Sequence, residues 1–246
     1  MPDSPFVELV DVAVRLPDGR AILEDLSLAV ATGETLALIG RSGSGKTTAP
    51  KLVNALVLPS AGTVRVAGVA TTAWDPIRLR RRTGYVIQEA GLFPHLTVAD
   101  NVGVVPALEG WDAARIARRT DELLALVGLP AAEFGGRYPH QLSGGQRQRV
   151  GVARALAADP PLVLLDEPFG ALDPITRHEL QREFRALQAR LGKTALFVTH
   201  DLREASRVAD RIALLAEGRL VAIGAPAELG ASADPEVRAF LDAGAA

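Results

Sequence analysis

The chain has 246 residues, of which 48% are hydrophobic and 23% are charged, and its formal net charge is −2. These values are typical of a soluble globular protein that can bury a sizeable core. The near-neutral charge provides no global field favouring nucleic acid or an acidic membrane. The absence of cysteine excludes a disulfide framework, a thiolate metal site and a cysteine nucleophile. We find no apolar run long enough to span a bilayer and no signal-peptide pattern.

Short apolar runs predict strands in the first quarter of the chain. Phe6–Val14 partly alternates, Pro17-Asp18-Gly19 is typical of a turn, and Leu26–Val30 follows as a second strand. Thr35–Ile39 is an apolar run typical of a buried parallel strand. Thr63–Gly68 alternates like an edge strand. The pattern predicts a lobe of antiparallel strands beside a parallel sheet core.

The segment after the third predicted strand carries a phosphate-loop motif. It reads GRSGSGKTT and fits G-x-x-x-x-G-K-S/T between a strand and a helix that continues through Lys51–Leu56. Glycines let backbone N–H groups point at a phosphate chain, and the helix N-terminus adds positive potential. Lys46 would bridge the β- and γ-phosphates, and the Thr47 hydroxyl would coordinate Mg²⁺. A dinucleotide GxGxxG motif is excluded because Thr48 occupies the position of the last glycine. The candidate phosphate-binding residues are Gly40, Arg41, Ser42, Gly43, Ser44, Gly45, Lys46, Thr47 and Thr48.

The middle of the chain has a helical pattern. We predict that residues 89–155 form a mainly helical subdomain inserted into a sheet core built from residues 1–88 and 156–246. Within Trp111–Val127 the apolar side chains share one helical face, and Gly128 is a natural stop. Arginines at positions 78, 80, 81 and 82 precede the next strand. At this net charge they favour a solvated face over a nucleic-acid patch, so we expect no nucleic-acid partner.

The last third returns to strands. Pro161–Glu167 is a buried strand ending in two acids, and Asp173-Pro174 is suited to cap and start a helix. Thr194–Thr199 is another apolar strand, which ends at His200. Arg211–Gly224 has the pattern of a closing hairpin, and the tail allows one short helix.

Polar side chains therefore follow three apolar strands, where α/β sheets collect ligands. Asp166 suits Mg²⁺ ligation, together with Thr47 and Gln88. Glu167 is placed as a general base that polarises an attacking water. Gln88 would hold the metal or that water, and His200 would contact the γ-phosphate. Each residue alone also has an ordinary explanation, since strand-end acids are usually solvated and a lone histidine is usually satisfied in a core.

Leu142–Gln146 reads LSGGQ. As local structure it is a capping box, in which Ser143 caps a helix and Gln146 stands three residues later. That explanation leaves the paired glycines, Gly144 and Gly145, unaccounted for. Two glycines at a helix start leave bare N–H groups that an anion can approach, and the anion could belong to a partner molecule.

With these motifs the chain resembles the ATP-binding subunits of ABC transporters along nearly its whole length. The phosphate loop, the Q-loop Gln88, the LSGGQ signature, the Walker B strand with catalytic Glu167, the D-loop Gly170–Asp173 and the switch His200 follow in the family's order. The resemblance implies an α/β P-loop NTPase fold of the ABC-ATPase type, with a parallel sheet core, an antiparallel β lobe and an inserted helical subdomain. It implies ATP and Mg²⁺ as cofactors. The nucleotide-contacting residues implied beyond the phosphate loop are Ser143, Gly144, Gly145, Gln146 and Asp173.

The resemblance also implies partners. A head-to-tail dimer with a second copy or a paralogous ATPase would hold two ATP molecules, each between one phosphate loop and the other subunit's signature. Hydrolysis would move transmembrane permease subunits that dock near the Q-loop, and would act indirectly on a solute-binding protein. The chain would then sit peripherally at the cytoplasmic face of the membrane.

A narrower resemblance concerns the cargo. Gly91–Trp111 (GLFPHLTVADNVGVVPALEGW) and Arg137–Arg177 are similar to the ATPases of importers for glycine betaine, choline, carnitine and related osmoprotectants. Three alternatives remain open: an importer ATPase for another small solute such as an amino acid, a soluble non-transport ABC ATPase, and a hydrolysis-poor regulatory protein. Soluble members usually need tandem cores, coiled-coil insertions or basic tails, which this sequence lacks.

Two residues depart from the family pattern. Leu16 stands where the family usually has an aromatic residue that stacks on adenine, so we expect weaker nucleotide affinity and loose base selectivity. Pro50 stands where the family has a helix former. A proline there would be tolerable in the first helical turn and costly further inside, and we expect a mild kink with the phosphate loop intact.

Overall fold

A computed structural model describes residues 4–88, 91–170 and 172–245 of the chain. Its strands are β1 (Val7–Arg15), β2 (Ala21–Val30), β3 (Thr35–Gly40), β4 (Ala61–Val66), β5 (Val69–Ala70), β6 (Thr83–Val86), β7 (Leu162–Asp166), β8 (Thr194–Val198), β9 (Arg211–Ala216) and β10 (Arg219–Gly224). Its α-helices are α1 (Thr48–Val53), α2 (Pro76–Arg81), α3 (Val98–Leu108), α4 (Ala113–Leu126), α5 (Ala131–Phe134), α6 (Gly144–Leu156), α7 (Pro174–Leu191), α8 (Leu202–Val208), α9 (Pro226–Gly230) and α10 (Pro235–Ala245), with a 3₁₀ turn at Pro139–Gln141. The chain divides into two compact units after Arg80 and after Leu187. We call Arg81–Leu187 the second unit and the rest the first unit.

The first unit contains two sets of strands. An antiparallel sheet has the order β2-β1-β4-β5, and a second set has the order β10-β9-β3-β8. In the second set β3 runs parallel to both β8 and β9, and β10 is antiparallel to β9. Every residue of β3 and β8 is buried, which explains their continuous apolar sequences. The predicted antiparallel lobe and closing hairpin are confirmed. The expectation that Thr63–Gly68 forms an edge strand is wrong, because β5 pairs with the outer side of β4.

Helix α1 follows the phosphate loop and is only six residues long. It begins at Thr48, so Pro50 is its third residue. The N–H groups of a first helical turn have no intrahelical acceptor, so the proline removes no helical hydrogen bond. Pro50 therefore lies in the first helical turn, where a proline is tolerated.

The C-terminal end of α1 is closed by two kinds of contact. The N–H groups of Leu56 and Ala55 donate to the carbonyls of Lys51 (2.8 Å) and Leu52 (3.1 Å), and Ala55 has a φ of +54°. This is a Schellman motif in which alanine occupies the position that usually holds glycine. Arg80 also donates to the Ala55 carbonyl, at 2.7 Å. One member of the arginine cluster therefore has a structural partner at a helix end.

The second unit combines the parallel pair β6 and β7 with helices α3–α6 and most of α7. Helix α6 packs against β6 and against α3 and α4. Leu123 and Leu124 of α4 are buried, as the apolar face predicted for that helix requires. This unit is wider than residues 89–155, and a separate helical subdomain with those bounds stays a prediction. No helix within the described ranges is both long and apolar enough to cross a membrane.

Candidate functional site

Glycines set the path of the phosphate loop between β3 and α1. Gly43 and Gly45 have φ values of +81° and +90°, in the left-handed region that favours glycine. A Cβ on Gly45 would overlap the Leu23 side chain and lie 2.8 Å from the Ile22 carbonyl oxygen. A Cβ on Gly43 would meet no described atom within 4 Å. Gly45 is therefore required by backbone conformation and by packing, and Gly43 by backbone conformation alone.

The lysine of the loop folds back over the loop's own backbone. Lys46 is only 6% exposed, and its Nζ donates to the Arg41 carbonyl at 3.4 Å. The Ser44 N–H donates to the same carbonyl at 3.2 Å. Thr47 precedes α1, and its hydroxyl makes no capping hydrogen bond to the described start of that helix. The loop thus presents a buried cation beside a hydroxyl that is not needed as a helix cap.

His200 lies at the same edge of the sheet as the phosphate loop. In the parallel pairing of β3 with β8, Leu38 lies opposite Val198. Gly40 and His200 each follow two residues later along their strands. The first unit therefore brings these two predicted residues to the carboxyl ends of neighbouring parallel strands, where α/β proteins bind ligands.

A buried pair supports the turn that carries His200. The Thr199 hydroxyl donates to the Glu204 carboxylate, and these residues are 1% and 5% exposed. Asp201 caps α8 by accepting from the N–H groups of Arg203 (2.7 Å) and Glu204 (3.2 Å). Sequence reasoning missed Glu204, although an acid three residues after an N-cap aspartate is a readable capping signal.

Leu16 is half-buried in the turn between β1 and β2. Its N–H donates to the Arg20 carbonyl, and its carbonyl accepts from the Gly19 N–H, both at 2.9 Å. The turn leads into β2 and to Ile22, whose carbonyl faces the position of a Cβ on Gly45. Leu16 therefore lies in the turn that leads into a strand contacting the phosphate loop, and its role toward a nucleotide base stays a prediction.

Asp166, the predicted metal ligand, is the last residue of β7 and is 9% exposed. In the parallel pairing of β6 with β7, Tyr85 lies opposite Leu164, on the same face as Asp166. Burial and, to a smaller extent, the charge and hydrogen bond of Asp166 together raise the pKa of the Tyr85 hydroxyl to about 12. The hydroxyl therefore stays protonated at neutral pH and can donate to the Asp166 carboxylate. The sequence contained no signal for this partner.

The predicted base lies next to the predicted glutamine. Glu167 has a φ of +45°, a costly conformation for a residue with a side chain, and such strain is common at functional sites. The Gln88 Nε2 donates to the Glu167 Oε2 over a long 3.5 Å. A Cβ on Gly170 would lie 3.8 Å from Glu167 Oε2 and 3.9 Å from Gln88 Nε2. The second unit therefore brings Gln88 and Glu167 together.

The predicted capping box of the signature is confirmed. The Ser143 Oγ accepts from the Gln146 N–H at 3.2 Å, and the Gln146 Oε1 accepts from the Ser143 N–H at 2.9 Å. Helix α6 starts immediately after Ser143. Both side chains are therefore engaged in the cap, and their role toward a nucleotide stays a prediction.

The two signature glycines differ in their surroundings. A Cβ on Gly145 would lie 2.7 Å from the Thr176 methyl group, so Gly145 allows α6 to start close against α7. A Cβ on Gly144 would meet Leu172 only at an ordinary 3.8 Å. Packing within the described residues thus explains why position 145 is a glycine. It does not explain why position 144 is one.

Asp173 acts as the cap of α7. Its Oδ1 accepts from the N–H groups of Ile175 (3.2 Å) and Thr176 (3.1 Å). Hydrogen bonds from the side chain and backbone of Thr176 hold the pKa of the exposed Asp173 carboxyl below its usual value. The predicted cap is confirmed, and a contact between Asp173 and nucleotide stays a prediction.

The predicted Mg²⁺ ligands are Thr47, Gln88 and Asp166. Within the part of the chain that the structure describes, no group of three or more His, Cys, Asp or Glu side chains could hold a metal. Mg²⁺ usually binds through one or two carboxylates, with phosphates and waters completing its octahedron. In the second unit the buried Asp166 carboxylate has the chemistry of such a ligand. In the first unit the Thr47 hydroxyl, which does not cap its helix, has it as well.

Asn101 was missed from the sequence. Its side chain is fully buried in α3. Its Oδ1 accepts from the Phe93 N–H at 2.8 Å, and its Nδ2 donates to the carbonyls of Phe93 (3.1 Å), Leu96 (3.1 Å) and Thr97 (2.9 Å). One amide therefore bonds backbone groups of Phe93, Leu96 and Thr97 in the loop that follows the Gln88 segment.

Comparison with known proteins assigns the family. The family model described as ABC transporter matches residues 23–170. The chain belongs to this family. The α/β architecture, with a mixed parallel sheet and an antiparallel sheet, is the ABC-ATPase fold, as its structural neighbours share it.

Two bacterial relatives illustrate the similarity. The choline transport ATP-binding protein OpuBA of Bacillus subtilis is 49% identical over 237 residues, which are 96% of this chain and 62% of that protein. The glycine betaine uptake system ATP-binding protein YehX of Escherichia coli is 51% identical over 212 residues, 86% of this chain and 68% of that protein. The chain thus spans less than two thirds of the length of OpuBA.

A solved structure gives the same assignment. The dimeric structure of the ATP-binding cassette MJ0796, in a post-hydrolysis state with bound ADP and Pi, superposes with a TM-score of 0.80 at 32% identity. The match covers 89% of this chain and 98% of the solved one.

Proposed function

We propose that this ABC-family chain is the ATP-hydrolysing subunit of an importer for quaternary-ammonium osmoprotectants such as glycine betaine. The observation that supports ATP hydrolysis is the phosphate loop, whose left-handed glycines, buried Lys46 and Thr47 are the kinds of group that bind a triphosphate. Import and cargo are inferred from the named relatives, which serve choline transport and glycine betaine uptake.

In the proposed reaction the chain's residues hold the triphosphate and take up a proton. The loop's N–H groups and Lys46 offset the negative charge of the β- and γ-phosphates, and His200 contacts the γ-phosphate. Glu167 accepts a proton from water as the water oxygen bonds to the γ-phosphorus and the bond to the β–γ bridging oxygen breaks, which releases ADP and phosphate. Gln88, which already donates to Glu167, is assigned to hold that water. Magnesium, held by Thr47, Asp166 and Gln88, would neutralise charge on the phosphate oxygens.

The proposal includes partners. A second copy, or a paralogous ATPase, is inferred because a Cβ on Gly144 would meet no described atom closer than Leu172, at 3.8 Å, at the start of α6, where a helix N-terminus can receive an anion. The solved ATP-binding cassette is itself dimeric. Transmembrane permease subunits, an indirectly coupled solute-binding protein and a peripheral position at the cytoplasmic face of the membrane complete the proposal.

Hydrolysis is tested first with the purified chain. Lys46→Ala removes the charge that compensates the phosphates and should abolish Mg²⁺-dependent release of phosphate from ATP. Lys51→Ala, which changes a lysine inside α1, is the matched control and should keep ATP turnover close to wild type. Turnover retained in Lys46→Ala would show that the site has been misplaced.

Cargo is tested in source cells that lack this gene. Uptake of labelled glycine betaine and choline is measured after complementation with wild type or with Glu167→Gln. We expect only wild type to restore uptake. If neither form affects these solutes while the ATPase is active, the cargo assignment falls and amino acids and other small solutes become the candidates.

A further inference from the structure

Helix α6 contacts the chain on both sides of Gln88. Before Gln88, a Cβ on Gly84 of β6 would overlap the carbonyl of Ala155, so the strand runs directly against the end of α6. After Gln88, the Nη1 of Arg154 donates to the Gly91 carbonyl at 2.7 Å. One helix therefore fixes the chain at two points that are seven residues apart.

Arg154 makes further contacts with the same segment. Its guanidinium lies 5.8 Å from the centre of the Phe93 ring, within the range of a cation–π interaction. A Cβ on Gly91 would overlap the side chain of Ile87, the neighbour of Gln88. Gly91, which Arg154 holds through its carbonyl, therefore packs closely against the residue beside Gln88.

The other end of α6 is the signature. The helix begins at Gly144, directly after Ser143, and Arg154 lies three turns further along it. The 13 residues of α6 form one continuous helix about 20 Å long. A displacement of the Ser143 end therefore reaches Gln88 through Arg154, and Gln88 in turn donates to Glu167.

We propose that Arg154 is a positioning residue that ties Gln88 to the signature helix, so that Gln88 stays aligned with Glu167 only while α6 keeps its place. This inference rests on the proposed ATPase function for its catalytic consequence. Its structural part, the restraint on the Gln88 segment, does not depend on catalysis.

The main variant is Arg154→Met, which keeps a long side chain and loses every donor. The matched control is Arg149→Met. Arg149 lies on the same helix and also donates to a loop carbonyl, that of Val127, at 2.9 Å. It has an ion pair with Glu183 as well, at 2.8 Å. The control therefore reports what the loss of such an arginine does to α6 in general.

Hydrogen exchange is measured on the purified chain without nucleotide. We expect the amides of residues 84–88 and 91–93 to exchange about tenfold faster in Arg154→Met and at wild-type rates in Arg149→Met, because only the first change removes the contact with Gly91. Equal exchange of these amides in both variants would overturn the proposal.

ATP turnover provides the second readout, in a cycle with Gln88→Ala. We expect Arg154→Met to lower kcat about tenfold with less than about a twofold change in KM, and to have almost no further effect in the Gln88→Ala background. Effects that multiply would mean that Arg154 does not act through Gln88. Arg154→Lys keeps one cationic donor and should recover part of kcat, which keeps the test available if the methionine variant folds poorly. ATP turnover that does not depend on Lys46 in the wild-type protein, or no turnover at all, would refute the proposed function. The hydrogen-exchange result would still decide whether Arg154 restrains the Gln88 segment.

Discussion

The phosphate loop and the Gln88 segment both follow a parallel strand, β3 and β6, but they are held in different ways. Contacts within the phosphate loop are local: the Arg41 carbonyl accepts from Ser44 and Lys46. The Gln88 segment and the loop after it are held by side chains of two helices, α6 and α3. Arg154 binds Gly91 from 63 residues away, and Asn101 binds the loop that follows.

This difference determines what kind of change each region tolerates. A loop defined by its own glycines fails when a glycine is replaced, and changes elsewhere leave its path intact. A segment held by side chains of other elements has no anchoring signal in its own sequence, and it loses its position when one of those side chains is removed. The predictions below test this contrast, in order of decreasing effect.

Removing the Asn101 amide should have the largest effect. Asn101→Ala leaves the Phe93 N–H and the Leu96 carbonyl without their partner, whereas the carbonyls of Phe93 and Thr97 keep backbone donors. Each unsatisfied buried group costs about 1–3 kcal/mol. Because water and relaxation recover part of this, we expect a loss of about 4 kcal/mol in the free energy of unfolding, measured with urea. Asp100→Ala, at the neighbouring exposed position, should cost under about 1 kcal/mol. Similar losses in the free energy of unfolding at both positions would show that the Asn101 amide does not anchor the loop.

A paired glycine test addresses the phosphate loop. Gly45→Ala requires a left-handed alanine and overlaps Leu23, so we expect a loss of about 3 kcal/mol. Gly43→Ala meets open space and carries only the backbone cost, about 1 kcal/mol. The denaturant midpoints of the two variants separate the backbone cost from the packing cost. Equal losses in the free energy of unfolding would show that packing against Leu23 contributes nothing.

The turn beside the phosphate loop can be tested through nucleotide binding. Leu16→Tyr adds an aromatic face, and base stacking is worth about 1–3 kcal/mol. We expect ATP affinity, measured by calorimetry in a Glu167→Gln background, to rise about tenfold with sharper selectivity over other nucleotides. Affinity for inorganic triphosphate should not change, since it has no base. An unchanged ATP affinity would contradict the role assigned to Leu16.

The smallest effect concerns the end of α1. Ala55→Gly relieves a left-handed alanine in the Schellman motif and should raise the free energy of unfolding by about 1 kcal/mol. Ala49→Gly, inside the same helix, should lower it by about 1 kcal/mol. Thermal melts of the two variants should therefore shift in opposite directions, and a lower Tm for Ala55→Gly would mean that the position is not strained.

Much of the fold could be predicted because its signals are local. Strands β3, β7 and β8 are continuous apolar runs, and the caps at Ser143 and Asp173 lie within three residues of the groups they bond. The edge position of β4 was predicted wrongly because the two-residue strand β5 is too short to have a pattern of its own.

Packing contacts could not be predicted in the same way. Nothing in the sequence pairs Gly145 with Thr176, since these residues meet only when two helix starts pack together. The same holds for Tyr85, whose position opposite Leu164 and on the face of Asp166 depends on strand pairing.

The sequence by itself determined the motifs, their order and most helix and strand positions, because turns, caps and glycine conformations depend on interactions within a few residues. Only the tertiary structure decided that Gln88 reaches Glu167, that Arg154 and Asn101 anchor the surrounding loop, and that the Thr199–Glu204 pair supports His200. The anchors of that loop join residues that are far apart in the chain or join a side chain to backbone, and such bonds leave no periodic pattern in the sequence.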